Sequence, residues 1–124
     1  MIQNYCTGLQ HIGLPTRDIA ATVRFYQGLG FEITWQTEKG DVVFLALKGL
    51  TIETYLGDTN PRTGAIDHIA INVTDIGKVF AQVKAAGYKL IDQEVITLPF
   101  FDKGCCYVMI EGPNKERVEF NQIL

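Results

Sequence analysis

The chain has two histidines, and they occupy the same place in two similar segments. His11 lies in Leu9-Gln10-His11-Ile12-Gly13-Leu14, and His68 in Ile66-Asp67-His68-Ile69-Ala70-Ile71. The same offset of 57 positions (68 − 11) places Ile12 on Ile69, Asp18 on Asp75, Ile19 on Ile76, Gly30 on Gly87 and Phe31 on Tyr88. A repeat of this kind limits the chain to folds built from two copies of one unit. Since each copy keeps a potential metal ligand, it also points to one site served by both copies.

Length and composition bound the reading. A chain of 124 residues reads as one domain, residues 1–124, with module 1 at about 7–57, a linker at about 58–64 and module 2 at about 65–124. The apolar fraction of 47% is that of an ordinary globule. A net charge of −3 argues against nucleic acid as a partner. No apolar run approaches the roughly 20 residues that cross a bilayer, so no membrane partner is expected. The start, Met1-Ile2-Gln3-Asn4-Tyr5, has neither the basic nor the apolar stretch of a signal peptide. Three cysteines are an odd number, and the adjacent Cys105 and Cys106 would face opposite ways on a strand. A disulfide framework is therefore not expected, and a reducing cytoplasm fits.

Periodicity predicts the order of elements. Residues 9–14 read as a short strand, broken by Pro15. Asp18 is placed to cap a helix with Ile19, Val23, Tyr26 and Leu29 on one face, stopped at Gly30. Residues 31–35, 42–47 and 51–56 read as three strands. Asn60-Pro61 lies in a turn-rich linker. The order then repeats. A strand at 66–73 leads to a helix capped by Thr74 or Asp75, with Ile76, Val79, Phe80 and Val83 on one face, ending near Gly87. A strand starts at 88–91, a loop surrounds residues 99–104, and strands follow at 105–110 and 117–121. Neither half has enough core to stand alone, so the two must pair.

Strand alternation sorts the side chains. Ile12 and Leu14 share one face of the first strand, while His11 falls on the other with Leu9 and Gly13. Ile69, Ile71 and Val73 share a face, and His68 looks the other way with Ala70 and Asn72. The apolar faces are expected to pack on the helices. Near the end of each unit a glutamate interrupts a strand-forming run: Glu53 in Thr51-Ile52-Glu53-Thr54, Glu119 in Arg117-Val118-Glu119-Phe120. Burying a carboxylate there is costly unless something pairs with it, and a divalent cation is one such partner.

These pieces, in this order and duplicated, resemble the vicinal oxygen chelate superfamily, which includes glyoxalase I, methylmalonyl-CoA epimerase, fosfomycin-resistance enzymes, extradiol dioxygenases and bleomycin-binding proteins. The resemblance covers nearly the whole chain. It rests on His11-Ile-Gly-Leu with Asp18-Ile, Arg24-Phe25-Tyr26 through Leu29-Gly30-Phe31, Asp67-His68-Ile-Ala-Ile with Asp75-Ile, and Glu111-Gly-Pro-Asn114 leading to Val118-Glu119-Phe120. It implies an α+β fold of two βαβββ modules forming an open, strongly curved, barrel-like mixed sheet with the helices outside. It also implies one divalent metal (Zn, Ni, Co, Mn or Fe) held by His11, Glu53, His68 and Glu119. Such a set leaves two positions for neighbouring substrate oxygens, and a carboxylate of the set, Glu53 or Glu119, then acts as the base.

The implied activity is that of a lyase or isomerase of the glyoxalase and epimerase type, working on a small molecule as a homodimer. Residues 65–94 are the most epimerase-like, although the lid sequence of that subgroup is not evident. Pro15 stands where glyoxalase I proper carries an arginine for glutathione, and the 42 positions between His11 and Glu53 (53 − 11) leave little room for loops that hold the tripeptide. Two alternatives stay open: a metal-free binding protein of the bleomycin-resistance kind, which lacks the ligand set, and a fosfomycin-modifying thiol transferase, which needs a cationic pocket. An extradiol dioxygenase needs a further histidine. Glu53 has a second reading, as a substrate or outer-sphere group beside three ligands. Trp35, Phe100, Phe101 and Arg117 are candidate substrate contacts. Each has a plainer reading too: Trp35 as core, Phe100-Phe101 as a dimer contact, Arg117 as the partner of an acid. Phe25-Tyr26 is expected to pack the first helix on its sheet, and Cys105 and Cys106 to be buried strand residues.

Overall fold

The computed structural model describes residues 1–5, 11–59 and 68–124. The expected strand starts at 9–10 and 66–67, most of the expected linker, and Cys6 lie outside the described residues. The chain divides into two compact units, Met1–Thr59 and Asn60–Leu124. The class is α+β, and both units run strand, helix, then a set of strands, as the repeat predicts.

The first unit opens with a 3-10 turn at Ile2–Tyr5, then β1 (Ile12–Thr16), α1 (Ile19–Gly28), β2 (Glu32–Gln36), β3 (Val42–Leu47) and β4 (Leu50–Leu56). Its open sheet has the order β1-β4-β3-β2, with β1 and β4 parallel and the other pairs antiparallel. The strand does not break at Pro15, as expected, but runs through it to Thr16. β1 is an edge strand, where half the N–H groups face away from the ladder and a proline is tolerated. Asp18 caps α1, its carboxylate accepting the Ala21 amide at 2.9 Å. After the last turn Gly30 adopts φ 100°, the left-handed conformation that ends a helix cheaply only at glycine.

The core of this unit lies between α1 and the face of β3 and β4 that carries Val43, Leu45, Ile52 and Thr54, all buried together with Tyr26 and Phe31. Tyr26 packs edge to face against both Phe25 and Phe31. Thr16 and Thr22 are also fully buried. Their hydroxyls meet at 2.9 Å, and the Thr54 hydroxyl donates to the Leu14 carbonyl at 3.0 Å. Buried hydroxyls paired in this way avoid the desolvation cost that an unpaired one incurs.

The second unit runs β5 (Ile69–Asn72), α2 (Ile76–Ala85), β6 (Lys89–Leu90), β7 (Ile96–Leu98), β8 (Cys105–Glu111) and β9 (Arg117–Ile123). The order is β5-β9-β8-β6, with β7 also on β8, and β5 is parallel to β9. Asp75 caps α2 by accepting the Lys78 amide at 3.0 Å, the counterpart of the Asp18 cap. Gln122 on β9 adds its own carboxamide oxygen to the first helical amide, that of Ile76, at 2.9 Å. The strand expected at 88–91 is only two residues long, and β7 takes up the pairing on β8 further along. The alternation Ile96-Thr97-Leu98 is too short to stand out from loop sequence without its partner. Val108, Ile110, Val118 and Phe120 are buried, as are Ile76 and Val83 of the α2 face.

Candidate functional site

Each unit brings its histidine to its glutamate by the same construction. His11 directly precedes β1, and Glu53 sits on the parallel β4, opposite Gly13. His68 directly precedes β5, and Glu119 sits on the parallel β9, opposite Ala70. The glutamate therefore faces the residue two beyond the histidine in both units, and alternation puts all three on one face. Since that intervening residue is glycine or alanine, no bulky side chain stands between ring and carboxylate. His11 Nε2 lies 3.7 Å from Glu53 Oε2, and His68 Nε2 lies 3.0 Å from Glu119 Oε2. The donors come in twos: among the described residues no three His, Cys, Asp or Glu side chains gather.

The two pairs differ in their surroundings. In the first unit the row across the sheet runs Trp35, Phe44, Glu53, Gly13. The Phe44 ring meets His11 edge to face at 5.5 Å and Trp35 at 6.0 Å. A register shift between Ile33 and Trp35 makes this possible, for Ile33 pairs with Leu45 while Trp35 pairs with Phe44. Simple alternation would have kept Trp35 on the face of Ile33. The shift adds one residue and turns the indole to the side that carries Glu53. Trp35 is 58% exposed, so it walls an open face and does not fill the core. Phe44 was not expected as a site residue, and its place beside His11 is visible only in the register.

In the second unit the row through Glu119 carries Met109 and Ala70, and the next row carries Tyr107 and Asn121. Glu119 is only 7% exposed. The Asn121 carboxamide donates to its Oε1 at 2.7 Å. Burial first, and then the charges of Asp92, Glu119 and Cys105, hold the Tyr107 phenol above its ordinary value of 10.0. Sequence reasoning missed both Asn121 and Tyr107, although Asn121 is two residues beyond Glu119 on the same strand and so shares its face. Arg117 is two residues before Glu119, on that face by alternation, and stands opposite Glu111.

Phe100 and Phe101 are exposed, at 55% and 64%, on the turn that leads into β8. Phe101 has φ 64°, a left-handed conformation uncommon outside glycine. With Pro99 and Lys103 it lines a shallow hollow of about 420 Å3. Gly104 closes this turn at φ 91°, where a Cβ would stand 2.9 Å from the Leu98 carbonyl oxygen. The turn meets β8 at Cys105, four residues from the Met109 that faces Glu119, about 13 Å along a strand. Cys105 is buried and Cys106 half-buried.

Comparison with known proteins agrees with the architecture. The pattern of the Glyoxalase/Bleomycin resistance protein/Dioxygenase superfamily matches residues 8–120. The uncharacterized protein YwbC of Bacillus subtilis (strain 168) is 34% identical over 92% of this chain and 96% of its own length. Among solved structures, lactoylglutathione lyase from Agrobacterium tumefaciens superposes with a TM-score of 0.72 at 20% identity, covering 94% of both chains. The E126Q mutant of the fosfomycin resistance protein FosX from Listeria monocytogenes, complexed with Mn(II) and 1S,2S-dihydroxypropylphosphonic acid, superposes with a TM-score of 0.75 at 20% identity, covering 93% of this chain and 89% of that one. At such identity the two structures establish likeness of fold. The family pattern over nearly the full length, together with the strand, helix, then strands order that both units share, makes this chain a member of the Glyoxalase/Bleomycin resistance protein/Dioxygenase superfamily.

Proposed function

We propose that His11, Glu53, His68 and Glu119 hold one divalent metal ion, drawn from Zn, Ni, Co, Mn and Fe. We further propose that the chain is a metal-dependent lyase or isomerase for a small molecule with oxygens on two neighbouring atoms. The observation that carries this reading is the repetition of one device: in each unit an imidazole Nε2 and a carboxylate Oε2 face each other within 3.7 Å across parallel strands. The donor chemistry fits such an ion. Two neutral imidazoles and two carboxylates balance a double positive charge, and the buried Glu119 is a carboxylate whose desolvation a cation offsets. The Mn(II) bound in the FosX structure of like fold supports an ion of this class.

When bound, such an ion would supply Lewis acidity to two neighbouring substrate oxygens. The remaining work falls to the chain. Glu53 and Glu119 are the carboxylates assigned to take the substrate proton. Trp35 walls the open side of the Glu53 face, and Arg117, Phe100 and Phe101 are assigned to substrate contact. The two modules act as one domain, in a cytoplasmic homodimer; the unpaired Cys105 and Cys106 suit a reducing compartment.

The test is elemental analysis of the purified chain after incubation with Mn(II), Ni(II) or Zn(II), followed by proton NMR in deuterium oxide on substrates with neighbouring oxygens. Stoichiometric metal and deuterium entering beside a carbonyl support the reading. A chain that binds small molecules without metal belongs instead with the bleomycin-binding proteins, and the lyase or isomerase assignment falls.

A further inference from the structure

We infer that Asn121 is the positioning residue for the Glu119 carboxylate. This rests on the metal reading above and adds an asymmetry between the two His–Glu pairs. Asn121 lies two residues beyond Glu119 on β9, on the same face, and opposite Tyr107 on β8. Its Nδ2 donates to Glu119 Oε1 at 2.7 Å, while Glu119 Oε2 faces His68 Nε2 at 3.0 Å. The two carboxylate oxygens thus have separate tasks: one is tied to the strand, and the other is turned to the imidazole.

The other end of the amide shows what sets its orientation. Asn121 Oδ1 is buried and has no hydrogen-bond partner among the described residues. A buried carbonyl left unpaired is unfavourable. Turning the amide over would point Oδ1 at the carboxylate, which is worse. The amide is thus oriented by what its nitrogen meets, chiefly Glu119 Oε1 at 2.7 Å and more weakly Cys105 Sγ at 3.8 Å, against its own hydrogen-bonding balance. Groups that hold a ligand carboxylate in this way narrow its positions before an ion arrives, and their loss weakens metal binding. Among the described residues the first unit shows no such device. The residue two beyond Glu53 is Tyr55, and among the described residues only His11 comes within ion-pair distance of Glu53, at 3.7 Å. The Glu119 half is the preorganised one.

The test compares Mn(II) affinity by isothermal titration, and the visible spectrum of the Co(II) form, for the full-length wild type, Asn121→Leu and Asn121→Gln. Thermal unfolding of the metal-free proteins is followed alongside. Leucine keeps the volume and removes the donor; glutamine keeps a donor. Asn121→Leu should bind Mn(II) about tenfold to a hundredfold more weakly and shift the Co(II) bands, while Asn121→Gln recovers most of the affinity. If Asn121→Leu does not fold, Asn121→Ser, which is too short to reach Oε1, takes its place. Wild-type affinity in the leucine or serine variant overturns the role. An equal loss in the leucine and glutamine variants also overturns it, since that marks packing. A wild type that takes up no Mn(II) overturns the metal reading itself, and this role with it.

Discussion

Trp35 stands opposite Phe44 across the β2–β3 ladder, the two rings edge to face with centroids 6.0 Å apart, and Phe44 in turn meets His11. One extra residue in β2 creates this relationship. It gives the first unit an aromatic wall beside Glu53, where the second unit has Met109 beside Glu119.

That wall is open to direct measurement, because Trp35 is the only tryptophan in the chain. Adding phenylglyoxylate, which has neighbouring oxygens and a ring, to the Mn(II)-loaded protein should change the tryptophan emission. Phe44→Ala should weaken that binding by roughly twofold to tenfold, the range of one aromatic contact. An emission insensitive to every ligand that the protein binds would remove Trp35 from the substrate face.

His68→Ala should take metal uptake to background while leaving a folded chain by circular dichroism. The variant also deprives a buried carboxylate of a close partner, and a stability loss of about 1–3 kcal/mol is expected in urea. Wild-type metal content in this variant would refute His68 as a ligand.

The core makes an independent prediction. Leu45 is fully buried between β3 and α1, and Leu45→Ala should cost about 2–5 kcal/mol by transfer and cavity terms together. Ile33→Ala, on the exposed strand β2, should cost much less. Comparable losses at the two positions would contradict the burial pattern.

Glu111 links β6 to β8 through Lys89 and also lies 3.4 Å from Lys115. Hydrogen bonding to Lys89, foremost, holds the Glu111 carboxyl below its ordinary 4.5, and the same bond to Glu111 holds Lys89 above 10.5. A lowered acid contributes stability above its ordinary value and loses it as pH falls through the folded one; a raised base contributes below its ordinary value and loses it as pH rises. Lys89→Met should therefore destabilise the protein across the neutral range and differ little from wild type in strong acid. Urea midpoints measured from pH 2 to 9 test this, and a difference that persists unchanged at the acid end would speak against the pairing.

The repeat, both helix caps and the strand-forming runs were legible because they depend on local rules. An aspartate at position 18 or 75 can cap only the helix that follows it, and a period of two or of 3.6 residues shows in a handful of neighbours. The same alternation put His11 with Gly13 and His68 with Ala70, and marked Glu53 and Glu119 as glutamates inside strand-forming runs; the structure buries Glu119 and leaves Glu53 half-buried. The break expected at Pro15 failed because a proline's cost depends on whether its strand lies at an edge, and that is a property of the sheet. The same holds for β7, three residues long and identifiable as a strand only against β8.

Sequence by itself thus determined the duplication, the order of most elements and the chemical types of the candidate donors, which follow from spacing and short-range preference, while the α+β class came through the family resemblance that those motifs carry. Tertiary structure alone decided which atoms meet. Parallel pairing of the first and last strands of each unit sets the two His–Glu distances, and a single inserted residue turns Trp35 to the side of Glu53. Both depend on register between separate strands, and a shift of one residue would send the side chains involved to the opposite face.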